Sequence, residues 1–210
     1  MEITKQQIIQ WIKNSQQLFE QHQDYLTQLD REIGDADHGL NMQRGFTKVL
    51  EKLPTVEDKD IGTILKTTGM TLLSQVGGAS GPLFGSFYIK ASLVANGKET
   101  LSLSEFHQLL KSGVEGIVSR GRAVRDDKTM CDVWLPILDD FEAMIEENSN
   151  PTTIFATLSE KAQKYAEATI PLKAKKGRAS YLNERSIGHQ DPGATSVSYL
   201  FLALSQVMEE

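Results

Sequence analysis

The sequence predicts an all-α protein, folded as a closed antiparallel barrel or bundle of about eight amphipathic helices. Apolar residues recur at spacings of three and four along most of the 210 residues. We find no convincing strand alternation, and short segments rich in glycine, proline or asparagine separate the helical stretches. Helices joined by short loops are typical of antiparallel bundles. We therefore expect residues 1–210 to form a single domain.

The predicted helices follow one another along the chain with few interruptions. Thr4 is a candidate N-cap of the first helix, and Pro54 ends the second. Pro82 introduces the fourth helix, whereas Ser104 with Glu105 opens the fifth. The predicted ranges are about 5–30, 40–53, 61–73, 82–96, 104–117, 132–147, 152–169 and 193–210.

Composition and charge narrow the class of protein. With 40% hydrophobic and 24% charged residues, the chain can bury a core and should be globular. A net charge of −6 argues against nucleic acid or an anionic membrane as the main partner. No apolar run approaches the roughly 20 residues that cross a bilayer, and the polar N-terminus does not resemble a signal peptide. We expect a cytoplasmic protein, in which Cys131, the single cysteine, packs rather than reacts.

An acidic cluster lies between the first two predicted helices. Asp30, Asp35 and Asp37 place three carboxylates within eight residues, next to a glycine-bearing turn. Mg²⁺ prefers such oxygen ligands and commonly shares them with substrate phosphates. The alternative is a solvated acidic loop with N-capping aspartates. This segment therefore predicts a divalent-cation site without saying what the cation would hold.

A glycine-rich loop precedes the fourth helix. Gln75–Gly85 reads QVGGASGPLFG, and glycines let successive backbone N–H groups converge on phosphate oxygens. The helix that follows adds partial positive charge at its N-terminus. A tight turn between closely packed helices is the alternative. Neither a Walker A sequence nor G-x-G-x-x-G is present, which excludes a P-loop or Rossmann site.

Two further loops near the C-terminus carry polar residues. In KAKKGRASY, residues 173–181, the lysines are typical of solvated surface, whereas Arg178 beside a glycine is a candidate for bidentate phosphate contact. GHQDPGA, residues 188–194, is a turn before the last helix. His38 and His189 each adjoin a candidate loop. We expect them to hydrogen-bond phosphate or metal-bound water, with a phosphocarrier histidine as the rival hypothesis.

Together, five loop sequences resemble those of the nucleotide-binding subunit of dihydroxyacetone kinases, in the same order. They are GDADHG, GGASGP, DDKTMCDVW, KGRASYL and GHQDPGA, and the resemblance spans essentially the whole chain. It implies a barrel of eight antiparallel helices with a nucleotide across the loops at one end. In ATP-dependent relatives this domain is usually fused to a dihydroxyacetone-binding domain. The 210 residues contain no such domain, which favours the form linked to the phosphotransferase system.

The resemblance also implies the residues of the site. Asp30, Asp35 and Asp37 would hold two Mg²⁺ ions, and Arg178 would stabilise phosphate charge during catalysis. Asp127 and Lys128 are left out of the predicted contacts. The predicted nucleotide contacts are His38, Gly39, Leu40, Asn41, Ala79, Ser80, Gly121, Met130, Arg178, Asp191, Pro192 and Gly193.

The function implied by the resemblance is phosphoryl transfer. Bound ADP, which becomes ATP when charged, would relay a phosphoryl group from a phosphohistidine subunit of the phosphoenolpyruvate phosphotransferase system. The acceptor would be dihydroxyacetone on a sister subunit, giving dihydroxyacetone phosphate. One alternative is the nucleotide-binding subunit of an ATP-dependent kinase. Another is a nucleotide-state sensor that binds a transcription regulator.

Overall fold

The computed structural model describes residues 1–208, and over this range the protein is predominantly helical. Nine α-helices and two short strands are present within these residues, with 3-10 segments at Leu53–Thr55 and Arg178–Ser186. The α-helices are α1 Lys5–Gln21, α2 Gln23–Ile33, α3 His38–Lys52, α4 Ile61–Gln75, α5 Ser80–Val94, α6 Leu103–Gly121, α7 Cys131–Glu146, α8 Pro151–Glu167 and α9 Pro192–Met208.

Eight of these helices form a closed ring. From α3 to α8, each helix packs against the next helix in the chain. The helix α1 packs against α3 on one side and against α9 on the other, which closes the ring. The indole Nε1 of Trp11 on α1 donates to the carbonyl oxygen of Leu200 on α9 at 2.8 Å. The short α2 packs on α3 and α9 beside the ring. The predicted closed antiparallel barrel of about eight helices is therefore confirmed.

The core is a single apolar cluster to which all the ring helices contribute. Trp11 lies against Tyr88 and Phe106, with ring centroids about 6 Å apart, and Trp134 stacks on Phe87 at 4.5 Å. These aromatic side chains are fully buried. Since helices of a barrel expose one face to water and bury the other, the observed apolar periodicity of the chain follows directly.

The first predicted helix is wrong in its length, because the structure divides it at His22. The five residues 20–24 are all polar, so no apolar side chain holds one continuous helix against the core. The imidazole of His22 stacks on Tyr199 of α9, with ring centroids 4.6 Å apart. Thr4 does cap α1 as predicted, in a capping box with Gln7.

Other boundaries differ by a few residues. The α5 helix begins at Ser80, before Pro82, which lies in the first turn, where backbone N–H groups have no intrahelical partner. Ser102 rather than Ser104 caps α6. The end of the last predicted helix, residues 209 and 210, falls outside the described residues.

A small sheet, which the sequence pattern does not predict, joins the N-terminus to the chain before α6. Strand β1, Glu2–Thr4, pairs antiparallel with β2, Thr100–Ser102, and Ile3 faces Leu101 with both side chains buried. Three residues are too few to show alternation. Among the helices of residues 1–208, none combines the length and apolar character that crossing a membrane requires.

Candidate functional site

Four helices begin at the same end of the barrel, around one cavity of about 270 Å³. The first residues of α3, α5, α7 and α9 (His38, Ser80, Cys131 and Pro192) all line it. The alternating directions of neighbouring helices produce this arrangement. The first N–H groups of each helix have no partner within the helix, and each N-terminus carries partial positive charge. The cavity therefore offers anion-binding groups from several directions.

The structure brings most of the predicted site residues to this cavity, although they come from six separate parts of the chain. Those that line it are Asp30, Asp35, Asp37, His38, Asn41, Ala79, Ser80, Gly121, Met130, Arg178, Asp191, Pro192 and Gly193.

Gly39 and Leu40 are not among the residues that line the cavity. Gly39 faces α2, where a Cβ atom would lie 2.0 Å from the carbonyl oxygen of Gln23, so it permits close packing of the two helices. Leu40 is about half exposed on the outside of α3. Successive residues of a helix point in different directions, so only part of the run 38–41 can face one ligand.

The three aspartates converge as the sequence predicts. One carboxylate oxygen from each of Asp30, Asp35 and Asp37 lies within 4.8 Å of the others. Asp30, in the last turn of α2, accepts hydrogen bonds from the backbone N–H groups of Asp37 and His38 at 2.9 and 3.1 Å. Burial raises the pKa of Asp30, and the neighbouring Asp35 carboxylate raises it further, while these two hydrogen bonds lower it. Such a cluster has the oxygen donors and the charge that suit a divalent cation.

Arg178 supplies a counter-charge to this cluster. Its Nη2 lies 3.0 Å from Asp35 Oδ2, and its side chain is about two-thirds exposed. The residue follows Gly177, whose φ of +63° turns the loop towards the cavity. Since exposed ion pairs contribute only about 0–1 kcal/mol, Arg178 can exchange this carboxylate for a phosphate at small cost. A guanidinium suits phosphate through its bidentate geometry.

His38 joins three of the helices that begin at the cavity. Its Nδ1 lies 3.0 Å from the hydroxyl of Ser80 on α5, and its Nε2 lies 2.7 Å from that of Ser196 on α9. Burial lowers its pKa to about 4, so the ring is neutral at neutral pH, with one nitrogen donating and the other accepting. Both nitrogens are engaged, which favours a positioning role over that of a phosphocarrier.

His189 is placed differently from His38. It is not among the cavity-lining residues. Its Nδ1 lies 4.0 Å from a carboxylate oxygen of Glu32, and its backbone carbonyl accepts a hydrogen bond from Lys128. The imidazole therefore lies beside the site rather than in it.

One side of the cavity is apolar. Leu83, Ile117 and Met130 line it, together with Ile33 and Ala123. Cys131 also lines the cavity, and burial raises the pKa of its thiol to about 11, which keeps it protonated and unreactive. A lining that combines apolar side chains with acidic and N–H groups matches a ligand with a flat apolar part and an anionic part.

Sequence reasoning missed several residues at this cavity. Ile117 could have been found, because it lies four residues before Gly121 and so on the same face of α6. Leu83 lies in the first turn of α5, next to the glycine loop. Lys128 and Thr129 also line the cavity. Lys128 lies in the resembling segment DDKTMCDVW but was left out of the predicted contacts; a lysine in a polar loop is ordinarily exposed, whereas here it is only 1% exposed.

Comparison with known proteins gives a consistent result over the whole chain. The DAK2 domain model matches residues 32–206. The chain is 52% identical over 210 residues to the PEP-dependent dihydroxyacetone kinase, ADP-binding subunit DhaL of Escherichia coli K12, with all of both chains covered. It is 40% identical to the PTS-dependent dihydroxyacetone kinase, ADP-binding subunit DhaL of Lactococcus lactis, covering 95% of this chain and 96% of the relative.

A solved structure shares the fold. The dihydroxyacetone kinase of C. freundii in complex with AMP-PNP and Mg²⁺ superimposes with a TM-score of 0.70 over 93% of this chain, at 21% identity. The chain spans about a third of that kinase, 33% of its length. At this identity the likeness establishes the helical barrel and nothing finer.

Proposed function

This chain belongs to the DAK2 domain family, and we propose on that premise that it is the ADP-binding subunit of a phosphotransferase that phosphorylates dihydroxyacetone. The observation that carries the proposal is the convergence of three carboxylates, Arg178 and four helix N-termini on one cavity. Relatives that match almost end to end are named as ADP-binding subunits of PEP- or PTS-dependent kinases. We treat residues 1–210 as one nucleotide-binding domain.

The chemistry of the residues at the cavity supports a bound nucleoside diphosphate, which we expect to be held with two Mg²⁺ ions. Three carboxylates facing ADP bring together about six negative charges, which two Mg²⁺ ions would largely offset with four positive charges. Asp30, Asp35 and Asp37 would hold the metal. The apolar wall at Leu83 and Ile117 would take the base. At Gly78, with φ of +64°, the glycine loop is open, since a Cβ atom there would meet nothing within 4 Å.

The chain's own contribution to the chemistry is alignment and charge neutralisation. Bound ADP would supply the group that accepts a phosphoryl from a phosphohistidine donor of the phosphotransferase system and passes it to dihydroxyacetone on a sister subunit. Arg178 would stabilise charge on the transferred group, and backbone N–H groups of residues 77–80 would contact the phosphates. His38 would hold the helix N-termini in place. We place this relay in the cytoplasm. A transcription regulator as partner stays a prediction from the resemblance.

Nucleotide retention tests the site directly. Asp35→Asn and Asp37→Asn each remove one negative ligand while keeping the side-chain shape. Outer residues of metal sites already contribute roughly 10- to 100-fold to affinity, so we expect losses above about 100-fold here. The measurement is the ADP content of purified protein after extensive dialysis with Mg²⁺. Asp58→Asn, at an exposed carboxylate beside Lys59, is the matched control. An Asp35 or Asp37 variant that retains stoichiometric ADP contradicts the assignment.

The phosphoryl donor is tested separately. Wild-type protein is incubated with labelled phosphoenolpyruvate and the phosphotransferase components that end in a phosphohistidine. Label on the bound nucleotide supports the relay, whereas acid-labile label on His38 or His189 supports a phosphocarrier histidine instead. Rapid exchange of the bound nucleotide with free ATP, without labelling from the donor, indicates the ATP-dependent alternative.

A further inference from the structure

Lys128 is a buried cation in the loop between α6 and α7, and the proposed function does not use it. Its side chain is 1% exposed, although lysine is rarely fully buried. Its backbone adopts a φ of +61°, a left-handed conformation that costs a non-glycine residue about 1–2 kcal/mol. A residue kept in this conformation and out of water is held by the contacts of its side chain.

The ammonium of Lys128 is surrounded by backbone carbonyl oxygens. It donates to the carbonyls of Thr169 at 2.7 Å, Leu172 at 3.1 Å and Ile170 at 3.3 Å. It also donates to the carbonyl of His189. An ammonium has three N–H groups, so these four acceptors use all of its donors. The geometry resembles that of a monovalent cation in a carbonyl cage, and it leaves no donor for a phosphate.

These carbonyls come from both ends of one segment, residues 168–191 between α8 and α9, which we call the arginine loop. Thr169, Ile170 and Leu172 lie at its start, and His189 lies at its end. These two ends, which form the base of the loop, are also joined by a hydrogen bond from the Gly188 N–H to the Ile170 carbonyl at 2.8 Å. Lys128 therefore joins the two ends of the loop that carries Arg178.

The residue before Lys128 contacts the loop farther along. The carbonyl of Asp127 accepts a hydrogen bond from the N–H of Lys175 at 3.0 Å, three residues before Arg178. Two buried carboxylates, those of Asp132 and Asp191, interact electrostatically with the ammonium. A neutral side chain at position 128 would remove the hydrogen bonds to the carbonyls of Leu172 and His189 and the positive charge near the two carboxylates.

We propose that Lys128 is a positioning residue, whose ammonium holds the two ends of the arginine loop together and thereby holds Arg178 at the aspartate cluster. The inference rests on the proposed function in one respect, namely that Arg178 acts on a bound nucleotide. It assigns to Lys128 an effect that passes through Arg178 and not through a hydrogen bond to the nucleotide, since carbonyl oxygens engage all the donors of its ammonium.

The first test is amide hydrogen exchange on nucleotide-free protein. Lys128→Met keeps the length of the side chain and removes its charge and donors. We expect exchange in residues 168–191 to accelerate by about tenfold or more, with exchange in α4 and α5 unchanged. Lys175→Met is the matched control, because the exposed ammonium of Lys175, a residue of the loop, lies 3.9 Å from Asp127 and joins the loop to it only weakly. Unchanged exchange in residues 168–191 of Lys128→Met overturns the proposal.

The second test is a double-mutant cycle on phosphoryl-transfer turnover. Lys128→Met should lower kcat by roughly 10- to 100-fold, as residues that orient a catalytic group do. If Lys128 acts through Arg178, the double variant Lys128→Met with Arg178→Gln should be no slower than Arg178→Gln alone. Multiplicative losses in the double variant would mean an independent role for Lys128 and would overturn the proposal.

A milder variant covers the case in which Lys128→Met does not fold. Thr169→Val removes the hydrogen bond from the Asp191 N–H to Thr169 Oγ1, 2.9 Å long, at the same base and changes no charge. We expect faster loop exchange and a smaller loss of kcat, again absent in the Arg178→Gln background. Faster exchange with undiminished kcat overturns the proposal. Failure of wild-type protein to bind Mg·ADP would refute the proposed function alone, since loop exchange is measured without nucleotide.

Discussion

At the residue scale, the buried carboxyl of Asp191 makes the stability of this fold depend on pH. Its Oδ2 accepts the N–H of Ala194 at 2.8 Å, in the first turn of α9. Burial raises its pKa from 3.8 to about 7, although the Ala194 hydrogen bond and the Lys128 ammonium lower it. The carboxyl is therefore partly protonated near neutral pH, unlike a typical surface aspartate.

This shift predicts a pH-dependent stability difference between the wild type and Asp191→Asn. Between pH 3.8 and about 7 the folded protein holds a proton on Asp191 that the unfolded chain releases, so this contribution to stability declines as pH rises. The loss is about 1.4 kcal/mol per pH unit at most. Asparagine keeps the acceptor for Ala194 and does not titrate. Urea unfolding is measured at intervals from pH 4.5 to 8. The free energy of unfolding of the variant, relative to that of the wild type, should rise up to about pH 7 and then stay constant. A constant difference would contradict the shift.

The residues of the site were predictable to the extent that they lie in contiguous loops. The aspartates, the glycine loop and Arg178 carry their chemistry in short motifs, and the structure places them at one cavity. The run 38–41 shows the limit of motif reasoning. On a helix, His38 and Asn41 share a face because they are three residues apart, whereas Leu40 points away. Lys128 was missed because only the folded structure brings distant carbonyls around its ammonium.

At the element scale, the beginning of α6 shows how a helix boundary is chosen between two serines. Ser102 has the extended backbone of an N-cap, and its hydroxyl accepts the N–H of Glu105 at 3.2 Å. The Glu105 carboxylate in turn accepts the N–H of Ser102 at 2.8 Å. Ser104 lies inside the helix and is exposed. The spacing of three residues between Ser102 and Glu105 is the capping-box signature, which favours Ser102 over the adjacent pair Ser104 and Glu105.

The two serines provide a matched test of the cap. Ser102→Ala removes the acceptor for a helix N–H group and should reduce the free energy of unfolding by about 1 kcal/mol. Ser104→Ala, at an exposed position inside the same helix, should leave it within about 0.5 kcal/mol or raise it slightly. Equilibrium urea unfolding of both variants gives the comparison. Equal effects of the two substitutions would show that the capping box does not stabilise α6.

The break between α1 and α2 has a functional consequence that helical periodicity alone does not show. Because the chain turns at His22, α2 packs beside the ring, and its last turn carries Asp30 to the cavity. Asp30 then accepts the N–H groups that begin α3. The polar run 20–24 marks a weak point in the pattern, but only the stacking of His22 on Tyr199 shows the direction of the turn.

At the scale of the whole molecule, the sequence predicts the helices and their antiparallel order better than the contact that closes the ring. Helices that follow one another in the chain pack together, including α8 and α9, which the long segment 168–191 connects. The contact of α1 with α9 joins residues that are distant in the sequence, since Trp11 and Leu200 are 189 positions apart. No local pattern encodes it. One hydrogen bond nevertheless accompanies the closure of the ring. A buried indole N–H needs an acceptor, and that of Trp11 on α1 donates to a carbonyl oxygen of α9.

Two buried tryptophans allow the energy of this closure to be measured. Trp11 and Trp134 are 1% and 0% exposed, but Trp134 Nε1 has no hydrogen-bond partner within residues 1–208. Trp11→Phe and Trp134→Phe each remove part of a buried ring and leave a cavity, which costs a few kcal/mol. Only Trp11→Phe also removes a hydrogen bond, whereas Trp134→Phe removes an unpaired donor whose burial is itself unfavourable.

We therefore expect Trp11→Phe to be the more destabilising substitution, by about 1–2 kcal/mol. Both variants should unfold in a single transition if the ring is one cooperative unit, and urea unfolding followed by circular dichroism measures both properties. Equal losses would mean that the bond to Leu200 contributes nothing beyond packing. A second transition in Trp11→Phe alone would show that the contact between α1 and α9 opens before the rest of the barrel unfolds. The closure of the ring would then depend on this one hydrogen bond.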